Sequence, residues 1–242
     1  MPYGMYAAIR ARVDARTAPQ VDRLLRPSLA LTTDAAEGTV AGCLGGLPAL
    51  PDGVDWPEHA GRPMQLVARL DCAGLAEAFR AGGGSRPLPA DGLLLFFHDD
   101  GFTDFAGRDC RVLHVPVTAP TRAAPPEGAV AVLAEAPVRA RWALSAPSYQ
   151  DPELERLFPD DFLVALDLAR DLADHLDRPD VRVLGWCDTD TARYDGHRPL
   201  LQVDAWAAGA AWGEAVNVSF WIPEEDLAAG RFDRVRHGVE VA

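Results

Sequence analysis

The chain has 242 residues, enough for one large domain or two closely packed halves around a sizeable core. Its 36 acidic residues outnumber 23 basic ones, and the net charge of −13 disfavours a nucleic-acid partner; the arginines read as scattered, with no basic patch. All 23 basic residues are arginine, which excludes a Walker-type phosphate loop and a Schiff-base or pyridoxal enzyme, since both need lysine.

Cys43, Cys72, Cys110 and Cys187 are dispersed with no C-x-x-C pair, as expected for reduced, buried thiols. No apolar run approaches the roughly eighteen residues a membrane span needs, and Met1–Tyr6 lacks the apolar stretch of a signal peptide. The expectation is a soluble, cytoplasmic protein.

Along the chain, Tyr6, Ile9 and Val13 share one face of a first helix, and Pro19 opens a second containing Val21, Leu24 and Leu25. Ser28–Thr32 alternates as a strand does. The Gly- and Pro-rich stretch 42–63 reads as an ordered loop pinned by Trp56. A strand over Met64–Leu70 is followed by a helix with Leu75, Ala78 and Phe79 inward, stopped at Gly82-Gly83-Gly84. Leu93–Phe97 is uniformly apolar, a strand buried on both faces, and Cys110–Val115 is another strand. The Pro- and Ala-rich segment 119–126 is a connector, and 130–133 and 138–142 are strand candidates. The clearest helix runs over about 160–177, with Leu163, Leu166, Ala169, Leu172 and Leu176 on its buried face. Further strands lead to Ile222, and Pro223-Glu224-Glu225-Asp226 opens a last short helix that stops at Gly230.

A set of short words occurs twice in the same order. Gly45-Gly46-Leu47-Pro48, Pro63-Met64-Gln65-Leu66-Val67 and Asp91–Phe97 correspond to Leu184-Gly185-Trp186, Pro199-Leu200-Leu201-Gln202-Val203 and Val216–Trp221. The expected architecture is therefore α+β and internally duplicated, with mainly antiparallel sheets and a few packed helices. It divides into an N-terminal helical segment (1–27), a first half (28–126) and a second half (127–242).

Read together, Gly45-Gly46-Leu47-Pro48-x-Leu50-Pro51, Trp56-Pro57, Pro63-Met64-Gln65-Leu66, Leu88-Pro89-x-Asp91-Gly92-Leu93, Leu184-Gly185, Leu200–Val203, Trp212-Gly213-Glu214 and Phe220-Trp221-Ile222 resemble the YwqG-like family over roughly 28–235. The chain departs from that pattern at Cys187, where proline is usual, and at Val216, where glycine is usual. The resemblance implies an α+β fold with internal duplication and brings over no catalytic residue.

Candidate functional residues follow from chemistry. His98-Asp99-Asp100 and Asp188-Thr189-Asp190 end strands in the two halves. His98, Asp99 and Asp188 can ligate a divalent cation, while Asp-rich turns also form simply because Asp caps them. Gln65 and Gln202 sit inside otherwise apolar strands. They either clamp the backbone of adjacent loops or line a ligand pocket between the halves together with Trp56, Trp212 and Glu214. Cys110 and His114 share one side of a strand at about 13 Å, too far apart to act as a nucleophile pair. Trp56, Trp206, Trp212 and Trp221 are expected in the core, whereas an exposed one would mark an interface. Glu214, Glu224, Glu225 and Asp226 either face a basic partner or serve a helix N-terminus.

No catalytic motif appears and no cofactor is indicated. The expected function is a soluble binding protein, in its sharpest form an immunity- or antitoxin-like partner of a basic protein. The alternative is a small-ligand protein or metal-dependent hydrolase with its pocket between the halves.

Overall fold

The computed structural model describes residues 24–34, 36–84, 88–102, 104, 106–121, 124–128, 131–148, 151, 154–155, 158–187 and 196–241, together with 19 and 22. In chain order the elements are β1 (Arg26–Thr32), β2 (Thr39–Leu44), β3 (Glu58–His59), β4 (Arg62–Pro63), β5 (Gln65–Asp71), α1 (Cys72–Ala81), β6 (Leu93–His98), β7 (Cys110–Val115) and β8 (Ala136–Ser145). There follow α2 (Phe162–His175), β9 (Val181–Val183), β10 (His197–Asp204), β11 (Ala215–Pro223), α3 (Glu224–Ala229) and β12 (Arg236–Val241).

Ten strands form a single sheet in the order β12-β11-β10-β9-β1-β8-β2-β5-β6-β7, and every neighbouring pair is antiparallel. The two outermost strands meet at one end. The His237 N–H donates to Gly107 O at 2.9 Å, and Cys110 Sγ donates to Val235 O at 3.5 Å. The sheet therefore curls into a nearly closed barrel, which leaves few unpaired edges.

This corrects the expected α+β class with several packed helices. The described helices are three short ones, of 10, 14 and 6 residues. The sheet bends back on itself, so its concave face supplies most of its own cover and runs such as Leu94–Phe97 are buried without a helical layer. The strand order has a symmetry of its own. Exchanging β1 with β8, β2 with β9, β5 with β10, β6 with β11 and β7 with β12 turns the order into its reverse.

The main core joins Leu29 and Leu31, Val67 and Leu70, Leu94 and Phe96, Leu201 and Val203, and Phe220 and Ile222 with Leu75 and Phe79 of α1. Asp71 caps α1 through Ala73 N at 3.1 Å, and Gly82 ends it as expected. Gly74 lets α1 settle on β2, because a Cβ there would sit 2.1 Å from Val40 O. A second core of Leu24, Leu144, Leu154, Phe158, Ala165, Leu168, Ala169 and Leu172 meets the first through Trp142. The buried stripe of α2 is thus Ala165, Leu168, Ala169 and Leu172; Leu163, expected inward, is 73% exposed. A third cluster under the 47–64 loop packs Trp56 on Phe97, and Trp56 Nε1 donates to Met64 O at 2.8 Å, pinning the loop as expected. Residues 131–133 form no strand; Leu133 is buried and its carbonyl accepts the Gly46 N–H at 3.0 Å. The first expected helix lies outside the described residues.

Candidate functional site

The seam between β7 and the segment entering β12 has a closed end and an open end. Register sets the closed end: His98, last in β6, faces Gln65 of β5 on one side and Cys110 of β7 on the other. Gln65 uses both ends of its amide. Its Oε1 accepts from Trp212 Nε1 at 2.7 Å and lies 3.2 Å from His98 Nε2, and its Nε2 donates to Ala131 O at 2.7 Å. An amide oxygen only accepts, so the His98 proton sits on Nε2. His98 Nδ1 then carries a lone pair with no hydrogen-bond partner among the described residues.

His98 is fully buried, its ring centroid 4.9 Å from Trp212, 5.4 Å from Phe102 and 5.4 Å from His237. Burial, and next the neighbouring His237, hold its pKa well below the ordinary 6.5. The ring is therefore neutral. His237 Nδ1 meets Asp109 Oδ1 at 3.2 Å, and both side chains are buried. A carboxylate only accepts, so His237 donates from Nδ1. The Cys110 thiol is pushed up to about 12 by burial and by the charge of Asp109, so it remains a protonated donor. Closure at this end is a dry, hydrogen-bonded plug.

The open end is a groove of about 900 Å³ between Arg111–His114 of β7 and the facing segment 230–236. A second cavity of about 560 Å³ shares His114 and Gly230 with it and extends toward Leu88 and Arg198. Four arginines line the groove. Arg108 pairs with Asp104 at 2.8 Å, and Arg234 with Glu225 at 3.1 Å and Asp226 at 3.2 Å. Arg111 donates only to backbone, to Cys110 O at 2.7 Å and Arg108 O at 3.3 Å, and neither Arg111 nor Arg236 makes an ion pair among the described residues. The arginines that look scattered in the sequence thus converge here.

The remaining predicted residues disperse. Gln202 pairs with Ser219, between Leu201 and Val203, which both enter the main core; its side chain is on the face opposite to that of Gln65. The two glutamines line no common pocket. Trp56 belongs to the loop cluster, Trp212 joins Gln65, and Glu214 is exposed. Asp99 turns away from the His98 ring, accepting from Gly101 N at 3.2 Å and standing 3.5 Å from Arg62. Asp188 lies outside the described residues. No group of three His, Cys, Asp or Glu suited to a metal occurs among the described residues. Trp221 is buried, donating to Ser219 Oγ at 2.9 Å, whereas Trp206 is 90% exposed and does not join the core. Of the acidic set, Glu224 pairs with Arg198 at 2.9 Å, Glu225 with Arg234, and fully buried Asp226 accepts from Arg231 Nε at 2.9 Å.

Sequence reasoning missed His237 and Asp109, which are 128 positions apart, and the meeting of Arg111 with Arg236. The one local signal is a histidine at an inward position of an otherwise alternating last strand.

The model of a domain of unknown function, DUF1963, matches residues 43–240, so the chain belongs to that family. No curated protein matches it. No described helix is long and apolar enough to cross a membrane.

Proposed function

We propose that this DUF1963 chain is a binding protein whose ligand surface is the arginine-lined seam groove, and that the ligand is anionic. The observation that carries this is the pair Arg111 and Arg236, two guanidiniums without ion pairs among the described residues, facing one open cavity in a chain of net charge −13. A guanidinium presents a planar fork of donors that fits carboxylate and phosphate oxygens. The symmetric strand order supports reading the domain as a duplicated unit, and the words that resemble the YwqG-like family fall within the matched span. The four cysteines are buried thiols outside any disulfide, which suits the reducing cytoplasm.

Calorimetric titration with pyrophosphate at low and moderate salt tests the groove. Binding that weakens with salt and falls at least tenfold in the double variant Arg111→Ala/Arg236→Ala is the expected result. Equal binding by the variant, or none by the parent chain, overturns the reading. The net charge favours a second reading, an immunity-like contact with a basic protein. In that reading the exposed Glu214 belongs to the surface used, since Glu224, Glu225 and Asp226 are already paired with arginines of the chain itself.

A further inference from the structure

We propose that the seam groove takes an acidic peptide in extended conformation, which adds as a further strand to the free edge of β7. The inference rests on the anion-binding reading above and names the class of ligand.

The first argument is the backbone. Asp99 N–H donates to Asp109 O at 2.8 Å, which makes Asp99 and Asp109 a hydrogen-bonded pair of the β6–β7 ladder. Antiparallel pairs alternate, so Phe97–Arg111 and Leu95–Leu113 are bonded pairs as well. Cys110, Val112 and His114 therefore direct their N–H and C=O groups away from β6, into the seam. The Arg111 guanidinium takes Cys110 O. The amides and carbonyls of Val112 and His114 make no backbone hydrogen bond to another segment among the described residues. They are a short, unsatisfied strand edge, and adding a strand is the direct way to satisfy it.

The second argument is the space beside that edge. β12 runs antiparallel to β7, and among the described residues hydrogen bonds at Gly107, Asp109, Cys110, Val235 and His237 join the two. Beyond that point the facing wall is the irregular segment 230–235, and the cavity between the walls continues past His114 and Gly230 into its neighbour. An extended segment of about four residues, at roughly 3.3 Å each, runs the length of the Arg111–His114 wall.

The third argument is charge. Arg111 stands on the β7 wall and Arg236 at the closed mouth of the groove, between Val235 and His237, so the end of an added strand nearest Cys110 meets both guanidiniums; Asp233 lines the facing wall farther along. Acidic side chains complement both. A nucleic acid offers no edge-forming N–H groups and is repelled by the net charge of −13.

The test uses the full chain labelled with nitrogen-15 and an eight-residue peptide alternating glutamate and threonine. Two further versions carry N-methyl groups on alternate residues, one in each frame, and pyrophosphate serves as a charge-only probe. The expected result is that the parent peptide slows exchange of the Val112 and His114 amides at least tenfold. N-methylation in one frame should weaken binding at least tenfold, and in the other frame little. If pyrophosphate binds but both methylated peptides bind like the parent, strand addition is wrong and the anion site stands. If no probe binds, both readings fall. Self-association of the chain alone through the same amides, seen by sedimentation, also overturns the proposal, because the edge is then occupied by a second copy. The methylated peptides leave the protein unaltered, so the result does not depend on a variant folding.

Discussion

The two ends of the seam are built from the same pair of edges and reach opposite outcomes. At the closed end Gly107, Asp109 and Cys110 meet Val235 and His237 through buried hydrogen bonds, backed by Gln65, His98 and Trp212. At the open end Arg111–His114 faces 230–236 across a groove of about 900 Å³, which the His114 and Phe232 rings, 6.1 Å apart, approach from either wall. Main-chain geometry already distinguishes the ends, since the open one faces the irregular segment 230–235 and the closed one runs into β12, and the side chains differ as well. Small or polar groups with matched partners, the Asp109 carboxylate with His237 among them, can be dried and brought together. Guanidiniums on facing walls repel one another and are costly to desolvate, so they keep the walls apart. A barrel seam thus closes where its chemistry can be satisfied internally and stays open where it needs an external counter-charge.

The largest expected effect comes from breaking the closed end. Gln65→Leu removes the acceptor of Trp212 Nε1 and the partner of His98 while keeping an apolar side chain of similar size. Leaving buried donors unpaired costs about 1–3 kcal/mol each, so a loss of about 3 kcal/mol is expected in urea unfolding. Pyrophosphate binding to the folded variant should be unchanged. A loss below about 1 kcal/mol would mean that Gln65 does not hold the closed end together.

The next effect is a pH dependence specific to that end. The groups facing His98 are Gln65, Trp212, Phe102 and His237, with Asp109 behind His237. The folded pKa of His98 is depressed below 6.5. Below that pH the unfolded chain takes up a proton that the folded chain refuses, so stability is present above about 6.5 and is lost as pH falls toward the folded pKa. The slope from this one group is at most about 1.4 kcal/mol per pH unit. Unfolding curves at pH 7.5, 6.5 and 5.5 should show His98→Gln losing less stability on acidification than the parent chain. Parallel curves for the two proteins would show that His98 takes up its proton without unfolding.

Much of the frame was legible in sequence: the strand at Cys110–Val115, the helix stopped at Gly82, the loop pinned by Trp56 and the last helix ended by Gly230, whose φ of 66° is the left-handed geometry expected of a stop. These are local matters of period, capping and turn chemistry. Closure was not legible, because it depends on pairs such as His237 with Asp109 that no window contains. The site was half legible. His98 stood out as a possible metal ligand at a strand end, Trp212 as an expected core residue and Gln65 as a polar residue in an apolar strand, and the structure brings those three together. Gln202 stood out for the same reason yet faces the other way. A bulge interrupts β5 between Leu66 and Ala68 and another β10 between Pro199 and Leu201, and in a strand one residue of slip exchanges the faces. The groove was invisible because Arg108, Arg111, Arg234 and Arg236 are ordinary in two separate stretches and unusual only once folded.

The smallest effect on stability should come from the residues that matter most to binding. Arg111 and Arg236 carry no ion pair among the described residues, and Arg111 donates to two backbone carbonyls at the groove wall. Arg236→Ala should change unfolding stability by no more than about 0.5 kcal/mol, the usual range for a surface substitution away from special features. Relief of repulsion among neighbouring guanidiniums makes a slight gain the expected sign. Anion affinity should nonetheless fall by about tenfold or more, since one of the two guanidiniums without an ion pair is lost. Arg234→Ala should do the reverse, because its guanidinium is already engaged by Glu225 and by the buried Asp226. Removing it strips a counter-charge from Asp226 and lowers stability while leaving affinity nearly unchanged. If Arg234→Ala and Arg236→Ala moved stability and affinity together, the two arginines would be doing one job, and the division of the seam into a structural end and a binding end would be wrong.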